Sequence, residues 1–216
     1  MASAIQFKTP LLYLNPLSFK YYDFLAAIIN KIAWRCPQEI LKDDYRRYVG
    51  ANHLEVGAKT GKMLNELNKP VGSFRLSLVD LNLSSLKGSK KRLERYTPNV
   101  FQWNIFESES RIPEKFDSIA INRVLHCIPQ GFYAKGILFF HLKNMLNKNG
   151  VLFGSTIVNK GCEHNIFSWL GSKIFNWIGL LNNKNDSVAE LEKALRVYFR
   201  NVQIEVHGTT AIFSAR

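Results

Sequence analysis

A short loop between two apolar segments constrains the fold of this chain more than any other feature. Residues 53–61 read HLEVGAKTG, and residues 76–80 read LSLVD. Leu76, Leu78 and Val79 are apolar, as expected of a strand that is buried on both faces. Two strands that each end in an acid, with glycines between them, predict a nucleotide-type pocket at the carboxyl edge of a parallel sheet.

The side chains at this edge suit a ligand that carries a ribose and a cationic group. Asp80 can accept two hydrogen bonds from a ribose diol, and Glu55 can hold an ammonium. Gly57 and Gly61 allow a tight turn and a close approach of the backbone to a ligand. The helix predicted to begin near Thr60 would direct free N–H groups at the same space.

Three cofactors compete for this loop. A dinucleotide loop has the pattern G-x-G-x-x-G, but Lys59 and Lys62 occupy the second and third glycine positions. A phosphate-binding loop needs one more residue before its lysine, and Met63 stands where its magnesium-binding hydroxyl belongs. Sites for S-adenosylmethionine use an acid, then G-x-G-x-G, then a second acid about 20 residues later. This last pattern fits best, with glycine at two of the three loop positions.

Segments spread over almost the whole chain resemble a small class I S-adenosylmethionine-dependent methyltransferase, of the group called methyltransferase type 12. Besides the loop, the resemblance rests on WRCP at 34–37, LVDLN at 78–82, FDSI at 116–119, LHCIP at 125–129, NGVLFGSTI at 149–157 and AIFSA at 211–215. It implies an α/β, Rossmann-like sheet of seven mostly parallel strands, with one antiparallel strand near the edge and helices on both faces. It also implies S-adenosylmethionine as the cofactor.

The hydrophobic pattern predicts a single domain over residues 1–216. Residues 1–50 form a helical N-terminal cap, in which Leu17 to Tyr48 reads as one or two helices broken at Pro37. Residues 51–216 form a Rossmann-like core with an insertion near 160–185. We predict strands near 52–57, 74–80, 99–103, 117–122 and 150–158, a terminal hairpin over 202–213, helices near 61–68, 83–95 and 132–146, a short turn at 147–150, and a helix start at Ser187 with Glu190.

Nine residues at the predicted sheet edge are candidates for cofactor binding: Glu55, Gly57, Lys59, Gly61, Asp80, Leu81, Asn104, Ile105 and Asn122. We expect Leu81 to pack on the adenine. Relatives often carry Asp at the position of Asn104, where it meets the adenine amino group, and an amide oxygen can accept the same bond; a loop cap is the alternative. Lys59 stands where relatives usually have glycine, and a positive φ there would cost about 1 kcal/mol or more. Its ammonium could pair with the methionine carboxylate.

The acceptor side of the pocket is predicted from location. His126 follows the fourth strand and is the candidate catalytic residue, as a base or as a contact to the acceptor; a packed structural histidine is the alternative. The candidate substrate-binding residues are Tyr22, Trp34, His164 and Trp169. Ordinary core packing is the alternative for the aromatic ones, and contact with a membrane surface is another for the segment near Trp169. No metal site is predicted.

The composition narrows the choice of partners. The net charge of +12 could attract RNA, an anionic membrane surface or an acidic substrate, and its densest cluster, Lys87 to Arg95, lies on a predicted solvated helix face. Cys36, Cys127 and Cys162 lack metal-ligand spacing, which favours reduced thiols and a cytoplasmic location. No apolar run has the length of a membrane span, and Met1 to Pro10 lacks the order of a secretory signal.

These observations predict methyl transfer from S-adenosylmethionine to a hydroxyl or amine of a small molecule. Two alternatives stay open. Lys59 and Asn104 motivate a catalytically impaired relative that serves as a binding protein, and the positive charge motivates an RNA methyltransferase, which is not favoured because no separate RNA-binding domain is present. The oligomeric state does not follow from the sequence.

Overall fold

The strands of this computed structural model, which describes residues 16–106 and 112–216, form one mixed sheet. Seven strands lie within those ranges, in the order β3-β2-β1-β4-β5-β7-β6. They are β1 (Asn52–Val56), β2 (Arg75–Asp80), β3 (Asn99–Gln102), β4 (Phe116–Asn122), β5 (Leu146–Ile157), β6 (Val202–His207) and β7 (Thr210–Ala215). The pairs from β3 to β5 are parallel, and β7 is antiparallel to β5 and β6. The predicted Rossmann-like sheet with one antiparallel strand is confirmed.

Helices cover this sheet and precede it. They are α1 (Pro16–Ile32), α2 (Gln38–Tyr48), α3 (Lys62–Glu66), α4 (Leu83–Arg92), α5 (Phe132–Asn144), α6 (Ile166–Trp177) and α7 (Val188–Arg196). Side-chain caps explain several of their starts: the oxygen of Asn82 accepts hydrogen bonds from two N–H groups of α4, and the hydroxyl of Ser187 accepts one from Glu190. Asn165 and Ser168 form a reciprocal capping box at α6, which the sequence reading missed.

The N-terminal cap has the predicted helical form over the residues that the structure describes. α1 and α2 are separated at Pro37, whose φ of −56° and lack of an N–H suit the residue just before a helix. Residues 1–15, which include the segment Met1 to Pro10, lie outside the described residues. None of the described helices has the length and hydropathy needed to cross a bilayer.

The core lies on both faces of the sheet. One cluster joins β4 and β5 to α5 and α7 and includes Phe116, Phe139 and Leu195. The other lies between the sheet and α2, α3 and α4 and includes Tyr45 and Phe153. Because β1 is buried along its whole length, its carboxyl end is held firmly at the centre of the sheet.

Several element boundaries differ from the predicted ones. Residues 147–150 are not a separate turn, because β5 begins at Leu146 and carries them as a bulge. Phe116 pairs with Leu146 and Ser118 pairs with Val151, so four residues of β5, 147–150, lie opposite the single residue Asp117 of β4. The helix predicted over 83–95 ends at 92, where a 3₁₀ turn takes over, and the one predicted to 146 ends at 144.

Candidate cofactor site and acceptor pocket

A cavity of about 490 Å³ lies at the carboxyl ends of β1, β2 and β4. Glu55 at the end of β1 and Asp80 at the end of β2 both line it. The cap contributes to the same cavity through residues of α1 and α2, including Ile29 and Leu41. The structure thus brings the two predicted carboxylates to one space.

The loop after β1 adopts positive φ at alternate residues. The φ values are 76° at Gly57, 47° at Lys59 and 67° at Gly61. A Cβ at Gly57 would lie 2.3 Å from a methyl carbon of Val124, so no side chain fits there. Gly57 therefore occupies a position where packing excludes a side chain. Lys59 has a strained backbone conformation, which costs about 1 kcal/mol or more.

The Lys59 side chain bridges the two halves of the sheet edge. Its ammonium donates a 2.8 Å hydrogen bond to the main-chain carbonyl of Arg123, which follows β4. Burial lowers the pKa of Lys59 to about 8, because removal from water disfavours the charged form. Lys59 also lines the cavity. The pairing of its ammonium with the methionine carboxylate of the cofactor stays a prediction.

Asp80 is held in place by backbone donors. One carboxylate oxygen accepts a bond from Asn82 N–H at 2.9 Å, and the other accepts a bond from Lys59 N–H at 3.3 Å. Burial raises the pKa of Asp80, against the lowering effect of these donors. Each oxygen keeps a lone pair for a further donor, so the carboxylate is positioned and still able to accept ribose hydroxyls.

The residues predicted to contact the adenine lie in the loops after β2 and β3. Leu81, Asn104 and Ile105 all line the cavity, and Ile105 also packs into the core. The Asn104 side-chain oxygen accepts a 3.2 Å bond from Phe106 N–H, which is the loop-cap arrangement. Trp103, which sequence reasoning missed, is buried in the same wall, and its indole N–H has no partner within residues 16–106 and 112–216.

Glu55 belongs to a buried hydrogen-bond network that joins the cap to the sheet. The hydroxyl of Tyr45 in α2 donates to one of its oxygens at 2.7 Å, and His53 Nε2 lies 3.4 Å from the other. Burial, together with the nearby Glu55, raises the pKa of Tyr45 well above its ordinary value. His53 Nδ1 in turn lies 2.8 Å from the hydroxyl of Ser118. Glu55 therefore stabilises the fold as well as lining the cavity.

His126 is a neutral histidine with a defined tautomer. Its Nδ1 accepts a 3.1 Å hydrogen bond from Ile157 N–H, so the ring proton resides on Nε2. Burial lowers its pKa well below the ordinary value, and the cations Lys59, Arg123 and Lys135 act in the same direction. A ring in this state donates a hydrogen bond from Nε2, which favours the predicted contact with the acceptor over the predicted role as a base. Asn122, four residues earlier, lines the cavity and accepts a 2.8 Å bond from the Ser155 hydroxyl.

The predicted acceptor residues divide into two groups. Tyr22 and Trp34 line the cavity, and Trp34 packs against Phe175 of α6 with ring centroids 6.1 Å apart. His164 and Trp169 do not line it, and their assignment as substrate-binding residues stays a prediction.

The orientation of α6 explains why His164 and Trp169 lie outside the cavity. Its inward side carries Gly171, where a Cβ would lie 3.4 Å from the Trp34 ring, and Phe175 one turn later. Trp169 is on another side, 52% exposed and contacted by the Lys173 ammonium. His164 precedes the helix and is exposed, with Nε2 3.1 Å from the carbonyl of Asn159. Because α6 carries apolar residues on every side, its sequence does not show which of them, such as Phe175, face inward.

Polar contacts fix the cap over the glycine loop. Asp23 of α1 accepts a 2.7 Å bond from the Thr60 hydroxyl and a 2.7 Å bond from the Arg92 guanidinium of α4. Both contacts cross from the cap to the core. The cavity is therefore roofed by a cap that is hydrogen-bonded to the loop beneath it.

Comparison with known proteins identifies the family of this chain. A family model described as a methyltransferase domain matches residues 54–152, which run from β1 into β5. Methyltransferase aurB of Calcarisporium arbuscula is 36% identical over 217 residues, which cover 94% of each chain. The chain belongs to the class I S-adenosylmethionine-dependent methyltransferases. It is therefore an enzyme, and its cofactor is S-adenosylmethionine.

Two further relatives are informative about this methyltransferase. The physcion biosynthesis cluster O-methyltransferase of Aspergillus chevalieri is 32% identical over 204 residues, or 93% of this chain and 91% of that one. The N-methyltransferase NodS of Bradyrhizobium japonicum WM9, solved with S-adenosylhomocysteine, is 14% identical and has a TM-score of 0.57. That match covers 83% of this chain and 84% of NodS, and it shows a shared fold.

The residues at the sheet edge fit the cofactor. The loop turns tightly at Gly57 and Gly61, which have φ values of 76° and 67°, and both glycines line the cavity. Asp80 retains lone pairs for donors, and the buried Trp103 N–H lacks a partner. These features describe a wall that is completed by a polar guest.

Proposed function

We propose that this methyltransferase acts on a small molecule and methylates a hydroxyl group in preference to an amine. The observation that carries the proposal is the neutral His126 ring, whose Nε2–H is free to donate in a cavity walled by apolar side chains. A hydroxyl oxygen has two lone pairs, so it can accept a bond from Nε2–H and still attack a methyl group. A neutral amine has one lone pair and cannot do both.

The donor side is assigned to the loop residues. When bound, S-adenosylmethionine supplies an electrophilic methyl group on a sulfonium. Asp80 accepts the ribose hydroxyls, and Glu55 faces the ammonium with the lone pairs that Tyr45 leaves free. The remaining cofactor contacts are assigned to Gly57, Lys59, Gly61, Leu81, Asn104, Ile105 and Asn122, all of which line the cavity.

The rate then arises mainly from positioning. Trp34, Phe175 and Leu181 form an apolar wall on the acceptor side, which excludes water and orients the acceptor against the donor. His126 contributes by holding the acceptor oxygen. No covalent link to the protein is required.

The size of the cavity favours a small molecule over RNA. About 490 Å³ lies within the range of small-molecule pockets, roughly 300–1,000 Å³. Within the basic cluster on α4, Arg92 pairs with Asp23, and Arg95 donates to the carbonyl of Asn65, so both guanidinium groups serve internal contacts. The O-methyltransferase of the physcion cluster, as a relative, supports the same choice.

Incubation with S-adenosylmethionine labelled as CD₃ in a metabolite extract tests the proposal. Mass spectrometry is expected to reveal a small product that carries the CD₃ group on oxygen, and Asp80→Ala is expected to suppress it. Label found only in RNA, or only on nitrogen of the product, would contradict the proposal.

A further inference from the structure

Arg123 is a cation in the cavity wall that the catalytic assignment leaves unused. The residue lines the cavity and is 8% exposed. Its Nε and Nη2 atoms are buried and have no hydrogen-bond partner among the residues that the structure describes. No carboxylate within 16–106 or 112–216 forms an ion pair with it. A buried guanidinium without an anion is costly, which calls for a compensating ligand.

The backbone holds this side chain in place. Arg123 has a φ of 56°, which a non-glycine residue adopts only when its surroundings enforce it. Its N–H donates to the carbonyl of Ser155 at 2.7 Å, and its own carbonyl accepts the Lys59 ammonium. Strain of this kind is concentrated at functional sites. The backbone of Arg123, from which the guanidinium extends, is thus held by β5 and by the loop after β1.

The guanidinium lies toward the acceptor side of the cavity. Cys36, just before α2, and Tyr22 of α1 act on it electrostatically, and the Cys36 thiol is also close enough for a side-chain hydrogen bond; both residues belong to the cap. Burial lowers the pKa of Arg123, while these two groups oppose that effect. Trp34, two residues before Cys36, carries the apolar acceptor wall. The ribose and adenine residues belong instead to β2 and β3, on the other side of β1.

We propose that Arg123 is the anion-binding residue of the acceptor pocket, and that the acceptor is an apolar molecule that enters with an ionised acidic oxygen. This inference rests on the proposed function, because it specifies the acceptor of the same cavity. The planar guanidinium binds a carboxylate or an ionised hydroxyl through paired N–H donors. Lys59 is a second cation that lines the same cavity, and its charge reinforces the preference of the pocket for an anion.

The state of His126 agrees with this assignment. A neutral ring with its proton on Nε2 is not available to take a proton from the acceptor. An acidic hydroxyl that is already ionised needs no base: its oxygen bonds to the methyl carbon as the carbon–sulfur bond breaks, and the bond's electron pair stays on sulfur. For a carboxylate-bearing acceptor, Arg123 instead orients the molecule, and a separate hydroxyl that is already ionised reacts in the same way.

Two matched pairs of probes test the inference on protein saturated with S-adenosylhomocysteine. 2-Naphthoate is compared with 2-naphthamide, and 7-hydroxycoumarin above its ionisation pH is compared with 7-methoxycoumarin. Calorimetry should show that at least one anion binds more tightly than its neutral counterpart, by about 10- to 100-fold. The pair that shows the preference identifies the kind of oxyanion.

Variants assign the preference to Arg123. Arg123→Met should abolish it, and Arg123→Lys should retain part of it, because the charge remains while the paired donors are lost. Arg200→Met removes an exposed arginine that does not line the cavity, and it should leave the preference intact. Thermal denaturation verifies folding, and Arg123→Met should be no less stable than the parent, since it removes an uncompensated buried charge.

Equal binding within both pairs, or a preference that survives in Arg123→Met, would overturn the inference. A loss of S-adenosylhomocysteine affinity in Arg123→Met, with the probes unaffected, would assign the guanidinium to the methionine carboxylate instead and would also overturn it. Failure of S-adenosylhomocysteine to bind the parent protein would be a failure of the cofactor site, and the probe pairs measured without it would still test Arg123.

Discussion

The Lys59 ammonium and the Arg123 carbonyl, joined at 2.8 Å, connect the loop after β1 to the end of β4. The lysine that departs from the glycine pattern therefore has a structural role of its own. It also places a titratable cation in the wall of a pocket whose donor carries a sulfonium. Like charges at this site disfavour S-adenosylmethionine relative to the uncharged thioether S-adenosylhomocysteine.

A first prediction concerns this charge. Because the pKa of Lys59 is lowered to about 8, the ammonium is largely charged at neutral pH and loses its proton as the pH rises through that value. The affinity for S-adenosylmethionine relative to S-adenosylhomocysteine should rise over that range by about two- to tenfold. Calorimetry at several pH values measures the ratio. In Lys59→Met the ratio of the two affinities should be high at every pH. A rise of that ratio with pH in the variant, equal to the rise in the parent, would refute the role of the lysine.

A second prediction concerns Asp80. Asp80→Ala should weaken S-adenosylhomocysteine binding by about 1–3 kcal/mol, because ribose hydroxyls lose their acceptor and the Lys59 N–H loses its partner. Equilibrium dialysis or calorimetry gives the affinity. Asp43→Ala, which removes an exposed carboxylate of α2, is the control and should bind as the parent does. Unchanged affinity in Asp80→Ala would show that the ribose lies elsewhere.

A third prediction separates the structural and chemical parts of His126. His126→Ala leaves the buried Ile157 N–H without an acceptor and should lower the free energy of unfolding by about 1–3 kcal/mol. His126→Asn offers an amide oxygen to that N–H, so it should be closer to the parent in stability while losing most of the methylation rate. Denaturant titration and CD₃ transfer in extract are the two measurements.

The pH dependence adds a check on the same residue. A neutral His126 with a strongly lowered pKa contributes no ionisation step to the rate between about pH 6 and 8. Any step in that range should persist in His126→Asn and follow the ionisation of the acceptor or, near pH 8, of Lys59. A step near the ordinary histidine pKa that vanishes in His126→Asn would restore the histidine as a base.

A fourth prediction concerns the network between the cap and the sheet. Tyr45→Phe removes the 2.7 Å donor to Glu55 and should lower the free energy of unfolding by about 1–3 kcal/mol, because a buried carboxylate loses its neutral donor. Tyr133→Phe removes a hydroxyl from a fully exposed side chain and should change stability little. Equal stability of the two variants would contradict the role of the network.

Much of the cofactor side was predictable from the sequence, since it depends on residues close to strand ends. The apolar run to Asp80 and the glycines at 57 and 61 are local signals, and the parallel sheet brings their positions together. Glu55 and Asp80 lie on neighbouring strands, so their convergence followed from the topology alone.

The acceptor side was less predictable because it depends on which face of an element turns inward. Trp169 and Phe175 lie on the same apolar helix, and only the packing of Gly171 against Trp34 selects Phe175. The burial of Arg123 and the tautomer of His126 likewise depend on contacts with distant β5, which no local pattern encodes.

The placement of the donor is tested most directly by a crystal structure with S-adenosylhomocysteine bound. The ribose hydroxyls are expected within about 3 Å of the Asp80 carboxylate, with the ligand's ammonium on the Glu55 side and Arg123 left free to meet an acceptor. A ligand whose ribose lies away from Asp80, or whose carboxylate occupies the Arg123 guanidinium, would contradict the arrangement described above.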